Sequence, residues 1–457
     1  MWTPRMAEGD GLRFEGLVEA IAEDIAAGRL APGDRLPPQR ETAYRLGLGL
    51  GTVTRAYAEA ERRGLLTAQV GRGSFVAETA AGAASGQAGA RIDFSRNLPP
   101  LAPARAHLAG ALAALRRRPD IADELDYAPP EGRTRDRRAG QAWIAAVTGW
   151  DGPNPSLLAC CAGAQQAIFL ALEVAAPARA PVIVEEATFW GVKAAAAAAG
   201  RPLIPAAMDA EGLRPDALER AARQSGARVA YVLPFQNPTA RLMGPARRAA
   251  IAQVARRLDL TLIEDDLYAA FRPDDGAPPI AALAPERTFY VSGVSKSLAP
   301  GLRAGYLAAP TAEHFERVIA AVRALSYAPP GFGPAIASQW IEDGSAQAIV
   351  AAVKAEVRER TALAGEILGD LLEPPASGES LHLWLPMGEL EAERLTSRAL
   401  RLGVDPTPPA APLVPGGKLT GLRLCIGAPP SRETLRRGLE IIRDAASAAP
   451  ERTPSIV

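Results

Sequence analysis

The chain is predicted to be an α/β protein in two modules: a short winged helix-turn-helix, then a much larger unit built on a mostly parallel sheet. Three observations lead there. At 457 residues it is too long for one ordinary core. Its first eighty residues read as three short helices and a hairpin. From about Pro103 onward, helical runs alternate with short apolar strands, the pattern of a sheet flanked by helices.

Composition narrows the class. Apolar residues make up 48%, and 51 basic side chains balance 51 acids, so no global basic field announces nucleic acid. No apolar run approaches the ~18–20 residues of a membrane span, and no basic-then-apolar leader opens the chain; no membrane partner and a cytoplasmic location are expected. Cys160, Cys161 and Cys425 lack metal-ligand spacing, and His107, His314 and His382 are scattered, so a reduced protein without a metal site is expected. Lysine occurs only four times, at 193, 296, 354 and 418, which gives weight to one inside a motif.

In the first module Phe14, Leu17, Val18, Ile21 and Ile25 recur at helical spacing, and Gly28 stops that helix. A second helix starts near Pro38 and ends at Gly47. A third, from about Gly51 to Arg63, buries Val53, Ala56, Tyr57 and Ala60 and stops at Gly64. Leu65–Val70 and Ser74–Ala77 flank Gly71-Arg72-Gly73 as a hairpin, the wing.

The run from IAAGRLAPGDRLPPQRETAYRLG through GTVTRAYAEAERRGLL to VGRGSFV resembles the winged-helix domain of GntR-type bacterial regulators along its full length. The resemblance implies that Arg40, Thr52, Arg55 and the wing residues Gly71, Arg72 and Gly73 face double-stranded operator DNA. Arg40 and Arg72 suit phosphate contacts, and Thr52 and Arg55 lie where a third helix reaches base edges or backbone. Gly49-Leu50-Gly51 departs from the family, which places a small polar residue and an arginine there. Losing an arginine that read guanine costs ~1–3 kcal/mol of discrimination. Ten arginines from Arg5 to Arg72 face eleven acids from Glu8 to Glu78, so a helical module that no longer binds DNA is the competing reading.

Residues 80–90, AAGAASGQAGA, are small and glycine-dotted and read as a flexible connector; extended to residue 102, the tether of roughly 20 residues spans about 25 Å.

In the large unit the strand candidates Pro181–Glu185, Val229–Leu233, Thr261–Glu264 and Phe289–Ser292 each run into a polar punctuation, where ligands of such sheets sit. Gly163-Ala164-Gln165 opens a helix whose free N–H groups favour a phosphate, a weak signal alone. Ala187-Thr188-Phe189-Trp190-Gly191 offers a ring for stacking, though taken alone core packing explains it better. Asn237 before Pro238 is an ordinary turn residue whose amide can also donate to a phenolate. Glu264-Asp265-Asp266 ends a buried strand; without histidine support, one carboxylate pairing a cationic ring nitrogen explains it better than a metal. Lys296, in Ser292-Gly293-Val294-Ser295-Lys296, follows a strand and is either a surface charge or an amine held for Schiff-base chemistry.

The ordered set GAQ, ATFWG, QNPT, EDDLY, SKSLAPGLR strongly resembles the fold-type I aminotransferases that bind pyridoxal 5′-phosphate, from about Pro119 to the last ~30 residues. The resemblance implies a large aminotransferase-like domain over 103–457, with a small C-terminal α+β subdomain. It implies that Lys296 forms the internal aldimine and that Asp265, three before Tyr268, pairs with the pyridine nitrogen. Asn237 and Tyr268 would bond the ring's phenolic oxygen and Phe189 would stack on the ring. Ala164, Gln165, Ser295 and Arg303 would cradle the phosphate, with Tyr127 reaching the phosphate of a partner subunit, hence a homodimer. Arg423 matches the arginine that forks onto a substrate carboxylate. Gly293 stands where the family has a phosphate-binding hydroxyl, with Ser292 beside it.

A winged helix joined to such a domain is the architecture of MocR-type regulators of the GntR family. The resemblance implies a transcription regulator sensing an amine or amino acid, or the cofactor itself, by aldimine exchange at Lys296. Its tether also allows a domain-swapped dimer. Two other readings compete: a true aminotransferase with a vestigial or adaptor winged helix, and a structural protein with a silent pocket.

Overall fold

The computed structural model describes residues 13–26, 29–31, 33–62, 65–69, 73–76, 91–273 and 277–447. Two compact units divide at residues 90 and 91.

The first unit contains α1 (Arg13–Ala26), α2 (Gln39–Leu46), α3 (Leu50–Arg62) and an antiparallel pair, β1 (Leu66–Gln69) with β2 (Gly73–Val76). The periodic residues form its core: Leu17, Val18 and Ile21 of α1 meet Val53, Ala56, Tyr57 and Ala60 of α3, closed by Leu66 and Val76. Gly47 ends α2 in the left-handed region (φ 61°), which a residue without Cβ enters cheaply, and its N–H returns to the Ala43 and Tyr44 carbonyls. Tyr57 then locks α3 to the approach of α2, donating to the Pro37 carbonyl at 3.0 Å and lying 2.9 Å from Thr42 Oγ1. The expected stops Gly28 and Gly64 lie outside the described residues, as do Gly71 and Arg72 of the wing.

The second unit opens with β3 (Ile92–Phe94) and continues through β4 (Leu158–Ala162), β5 (Val182–Glu185), β6 (Leu203–Ala206), a small hairpin of β7 (Met208–Asp209) and β8 (Gly212–Leu213), β9 (Val229–Val232), β10 (Thr261–Asp265), β11 (Thr288–Gly293) and β12 (Ala304–Ala308). Seven of these form one sheet in the order β4-β12-β11-β10-β9-β5-β6, all parallel except β12, which runs against both neighbours. Both faces are covered, so alternate residues of a strand enter different cores. Val182 and Val184 pack with Ile168 and Leu172 of the helix Ala164–Ala175, whereas Ile183 packs with Ile251 and Val254 of the helix Pro245–Leu258. Each fully buried aliphatic contributes about 1.5–3 kcal/mol, which is why these strands read as continuous apolar runs.

A smaller α+β part pairs β13 (His382–Pro386) with β15 (Gly421–Cys425) antiparallel, and β14 (Val404–Pro406) with β3 in parallel. The helices Ser345–Leu368, Glu389–Arg401 and Arg432–Ser447 cover them. The stretch from 91 to 102, expected as the end of the connector, is folded instead. Ile92 and Phe94 are buried against Leu383, Leu422 and Leu439, and Gly438 is bare because a Cβ there would lie 2.7 Å from the Phe94 ring. A three-residue strand whose partner lies some three hundred positions away has no local signature.

Candidate functional site

Parallel strands end on one edge of their sheet, and that edge gathers the punctuations. β4 delivers Gly163 and Ala164, β5 delivers Phe189, β9 leads to Asn237, β10 ends at Asp265, and Lys296 follows β11. β12 runs the other way, so its start arrives at the same edge: Ala304 pairs with Ala162, and Arg303 just before it donates to the Ala162 carbonyl at 2.7 Å.

Each acid of the run has a different partner. Glu264 accepts from the N–H groups of Ile280 and Ala281, capping the short helix Ile280–Leu283. Asp266 accepts from Tyr290 and pairs with Arg272 at 3.4 Å. Asp265 alone lies near Lys296; Tyr231 Oη donates to its Oδ2 at 2.5 Å and Leu267 N–H to its Oδ1 at 3.3 Å. Burial pushes Asp265 up to about 6, against the downward pull of the Tyr231 hydrogen bond. Desolvation pushes Lys296 down to about 8, with the Arg423 charge acting in the same direction and Asp265 opposing it. A neutral amine is the nucleophile, so capture of an aldehyde by Lys296 should accelerate as pH rises through about 8 and level off above it. Stopped-flow mixing with pyridoxal 5′-phosphate across pH 6–10 measures this; a rate still climbing towards pH 10 would mean an unperturbed lysine.

Around Lys296 the side chains interlock. Its Nζ donates to the Asn97 carbonyl at 2.8 Å. Asn97 Nδ2 donates to Tyr268 Oη at 2.9 Å and meets His382 Nδ1 at 3.2 Å. Asn237 Nδ2 lies 3.5 Å from the same Tyr268 oxygen, while Asn237 Oδ1 accepts from Arg423 Nη1 at 2.8 Å. Arg423 Nε donates to Thr407 Oγ1 at 3.1 Å, which fixes the guanidinium plane.

At the opposite end lies a cradle. The helix Ala164–Ala175 starts without a side-chain cap, so its first N–H groups are offered to a ligand. Gly163 holds φ 75°, and a Cβ there would lie 2.7 Å from Arg303 Nη2; Gly305 has no room for one against Gly163. Ser295 is buried, as is Ser297, whose Oγ has no hydrogen-bond partner. The Gln165 side chain is turned aside, its Nε2 donating to the Gly191 carbonyl at 2.8 Å. Gly293 keeps a hydroxyl out of the strand: a Cβ would sit 3.1 Å from the Ala304 carbonyl oxygen. Gly163→Ala should therefore cost about 1–3 kcal/mol of backbone strain, and phosphate affinity should fall at least tenfold by fluorescence titration while the helix content holds.

Phe189 is half-buried and packs over Gly191, where a Cβ would clash with its ring. Tyr127 is 75% exposed and meets Tyr327 edge-on at 4.8 Å. In the first unit Arg40 is exposed in the first turn of α2, and Thr52 is half-buried in the first turn of α3. Arg55 is exposed, but its guanidinium lies over the Phe14 ring at 4.1 Å; Gly73 begins β2. Among the described residues no cluster of His, Cys, Asp and Glu could hold a metal ion, and no helix is long and apolar enough to cross a membrane.

Asn97, Tyr231, Thr407 and His382 were not foreseen as site residues. Tyr231 had a readable signal, a hydroxyl in an otherwise apolar strand, where it pairs with Ile263 two residues before Asp265. The other three reach the site only through tertiary pairing.

A half-buried lysine, an isolated carboxylate, an amide and phenol pair, and a glycine-floored helix start together fit pyridoxal 5′-phosphate, and that is the cofactor. Residues 109–442 match the family aminotransferase class I and II, and residues 14–76 match bacterial regulatory proteins of the gntR family. The chain belongs to the regulators that join a GntR winged helix to an aminotransferase class I and II domain, the MocR type. It is 27% identical over 454 residues to the HTH-type transcriptional regulator YdeF of Bacillus subtilis, covering 97% of this chain and 96% of that one. It is 30% identical over 400 residues to the HTH-type transcriptional regulator TauR of Rhodobacter capsulatus, covering 77% and 78%. Among solved structures it resembles LysN, an α-aminoadipate aminotransferase of Thermus thermophilus, at 25% identity and TM-score 0.69, covering 78% of this chain and 92% of that one.

Proposed function

We propose that this protein is a DNA-binding transcription regulator that uses pyridoxal 5′-phosphate at Lys296 to sense an amine bearing an acid group. The observation that carries the reading is a desolvated Lys296 amine near Arg423, within a chain whose first unit is a winged helix. When bound, the cofactor supplies an aldehyde that condenses reversibly with primary amines. Asp265 would supply the charge for the ring nitrogen, and Tyr231 keeps that carboxylate hydrogen-bonded and ionised near neutral pH. Tyr268 and Asn237 present hydrogen-bonding groups to the ring oxygen, with Asn237 oriented by Arg423. Ala164 and Gln165 by their backbones, with Ser295 and Arg303, hold the phosphate. Arg423 selects a carboxylate, since a planar guanidinium already held by Thr407 binds two oxygens with little further ordering. The exposed Tyr127 suits a homodimer in which it reaches the partner's phosphate, and the connector's length permits a domain-swapped arrangement. Arg40, Thr52, Arg55 and the wing residues Gly71 to Gly73 would contact operator DNA in the cytoplasm.

Amine binding shifts DNA binding only if the two states of the protein bind the amine differently. Duplexes selected from a randomised pool, titrated at stated salt with and without a panel of amino acids, test this. Robust multiple-turnover transamination with keto acids and no DNA binding at low salt would favour the enzyme reading. Gly49-Leu50-Gly51 is the observation on its side, since Leu50, 43% exposed at the start of α3, brings no hydrogen bond to a base edge.

A further inference from the structure

We propose that Asn97 reads whether Lys296 is free, and that residues 95–97 pass that state to the chain leading back to the DNA-binding unit. This rests on the regulator reading above.

Three ligand-facing side chains converge on these three residues. Lys296 Nζ donates to the Asn97 carbonyl at 2.8 Å, Tyr268 Oη accepts from the Asn97 carboxamide at 2.9 Å, and Arg423 Nη2 donates to the Ser95 carbonyl at 3.3 Å. The segment therefore touches the amine, the phenol and the acid-binding group at once.

The orientation of the Asn97 carboxamide is dictated rather than free. His382 Nε2 lies 3.1 Å from the Gln236 carbonyl, which can only accept, so Nε2 carries the hydrogen. Burial holds His382 neutral, down at about 3, so Nδ1 is a lone pair and the Asn97 amino group must face it. Asn97 Oδ1 is thereby turned away, buried and without a hydrogen-bond partner.

The Lys296 contact depends on the state of its nitrogen. A free amine has hydrogens to donate to Asn97. Bonded to the cofactor's aldehyde carbon as a neutral imine, the nitrogen would carry none. When an incoming primary amine takes that carbon, its nitrogen forms the new bond, Lys296 leaves, and two hydrogens pass in net to Nζ; no oxidant or reductant is needed. The bond to Asn97 forms at that moment.

The segment is also where the signal must go. It follows β3, which begins two residues after the first unit ends. β3 pairs in parallel with β14, and both strands run on into the site, β3 to Ser95 and Asn97, β14 to Thr407 beside Arg423. One end of this two-stranded sheet is thus tied to the pocket and the other to the connector.

The cofactor-loaded full-length protein is mixed with aminooxyacetate, a carboxylate-bearing oxyamine that takes the lysine's place on the cofactor. Amide hydrogen exchange is followed by mass spectrometry, and affinity for a duplex selected from a randomised pool is measured on the same samples. Exchange across residues 91–101 should slow by about fivefold or more as the freed lysine bonds Asn97. Asn97→Ala should shrink that difference, whatever its effect on basal exchange; if this variant does not fold, the wild-type difference decides. Unchanged exchange over 91–101 while DNA affinity shifts would overturn the relay and leave the regulator reading standing. A clear exchange change with no shift in DNA affinity would uphold the reading of Lys296 by Asn97, sink its transmission to DNA, and remove the regulator reading with it.

Discussion

Replacing Lys296 with alanine should abolish the aldimine absorbance band, leaving that of the unbonded aldehyde, and every amine-dependent change in DNA affinity. The pocket walls stay: Asp265 keeps its bond from Tyr231, and the glycine-floored cradle between Gly163 and Arg303 is untouched. The variant should therefore fold and retain the cofactor without a covalent bond, with affinity lower on the order of 100-fold, or about 2.7 kcal/mol. Spectrophotometric titration and a DNA-binding assay on the same preparation check it. A variant as responsive to amines as the wild type would return Lys296 to the surface charges among which a lysine after a strand is normally counted.

The second large effect is expected at Arg423. Its guanidinium is half-buried and held by Asn237, Thr407 and the Ser95 carbonyl, so it is preorganised for a carboxylate. Arg423→Ala should weaken an amino acid by about 2–5 kcal/mol, the loss when one partner of a desolvated charge pair is truncated. That is roughly 30- to 5,000-fold in affinity. An amine of the same skeleton without the acid should bind both proteins alike. Calorimetry with such a matched pair decides: equal losses for both would mean that Arg423 orders Asn237 and Tyr268 and does not touch the effector.

These two residues differ in how they could be read from the chain. Lys296 stands in a local motif, after an apolar strand and before a proline-glycine turn, so its setting is written within fifteen residues. Arg423 is legible only by resemblance, since an arginine in the strand Gly421–Cys425 looks like any edge charge. Asp265 is intermediate. Three acids in a row announce a buried polar site, but choosing among them needs the partners: a helix start for Glu264, Tyr290 and Arg272 for Asp266, Tyr231 for Asp265. Asn97 was invisible. It sits in a short stretch directly after the connector with no period of its own, and its role comes from β3 pairing with β14 and from a histidine 285 positions away.

By itself the sequence determined the periods and the stops: three helices with apolar faces, strands apolar on both sides, and small or polar residues at each strand end. Those properties depend on neighbours within one or two turns, so they are visible in a window of the chain. Only the tertiary structure decided which punctuations meet. The parallel sheet carries five strand ends to one edge, the reversed β12 brings Arg303 to join them, and a short strand after residue 90 carries Asn97 against Lys296. Contacts of that range are set by the closing of two packed layers on a common core, an energy shared over many residues and recorded in no single segment.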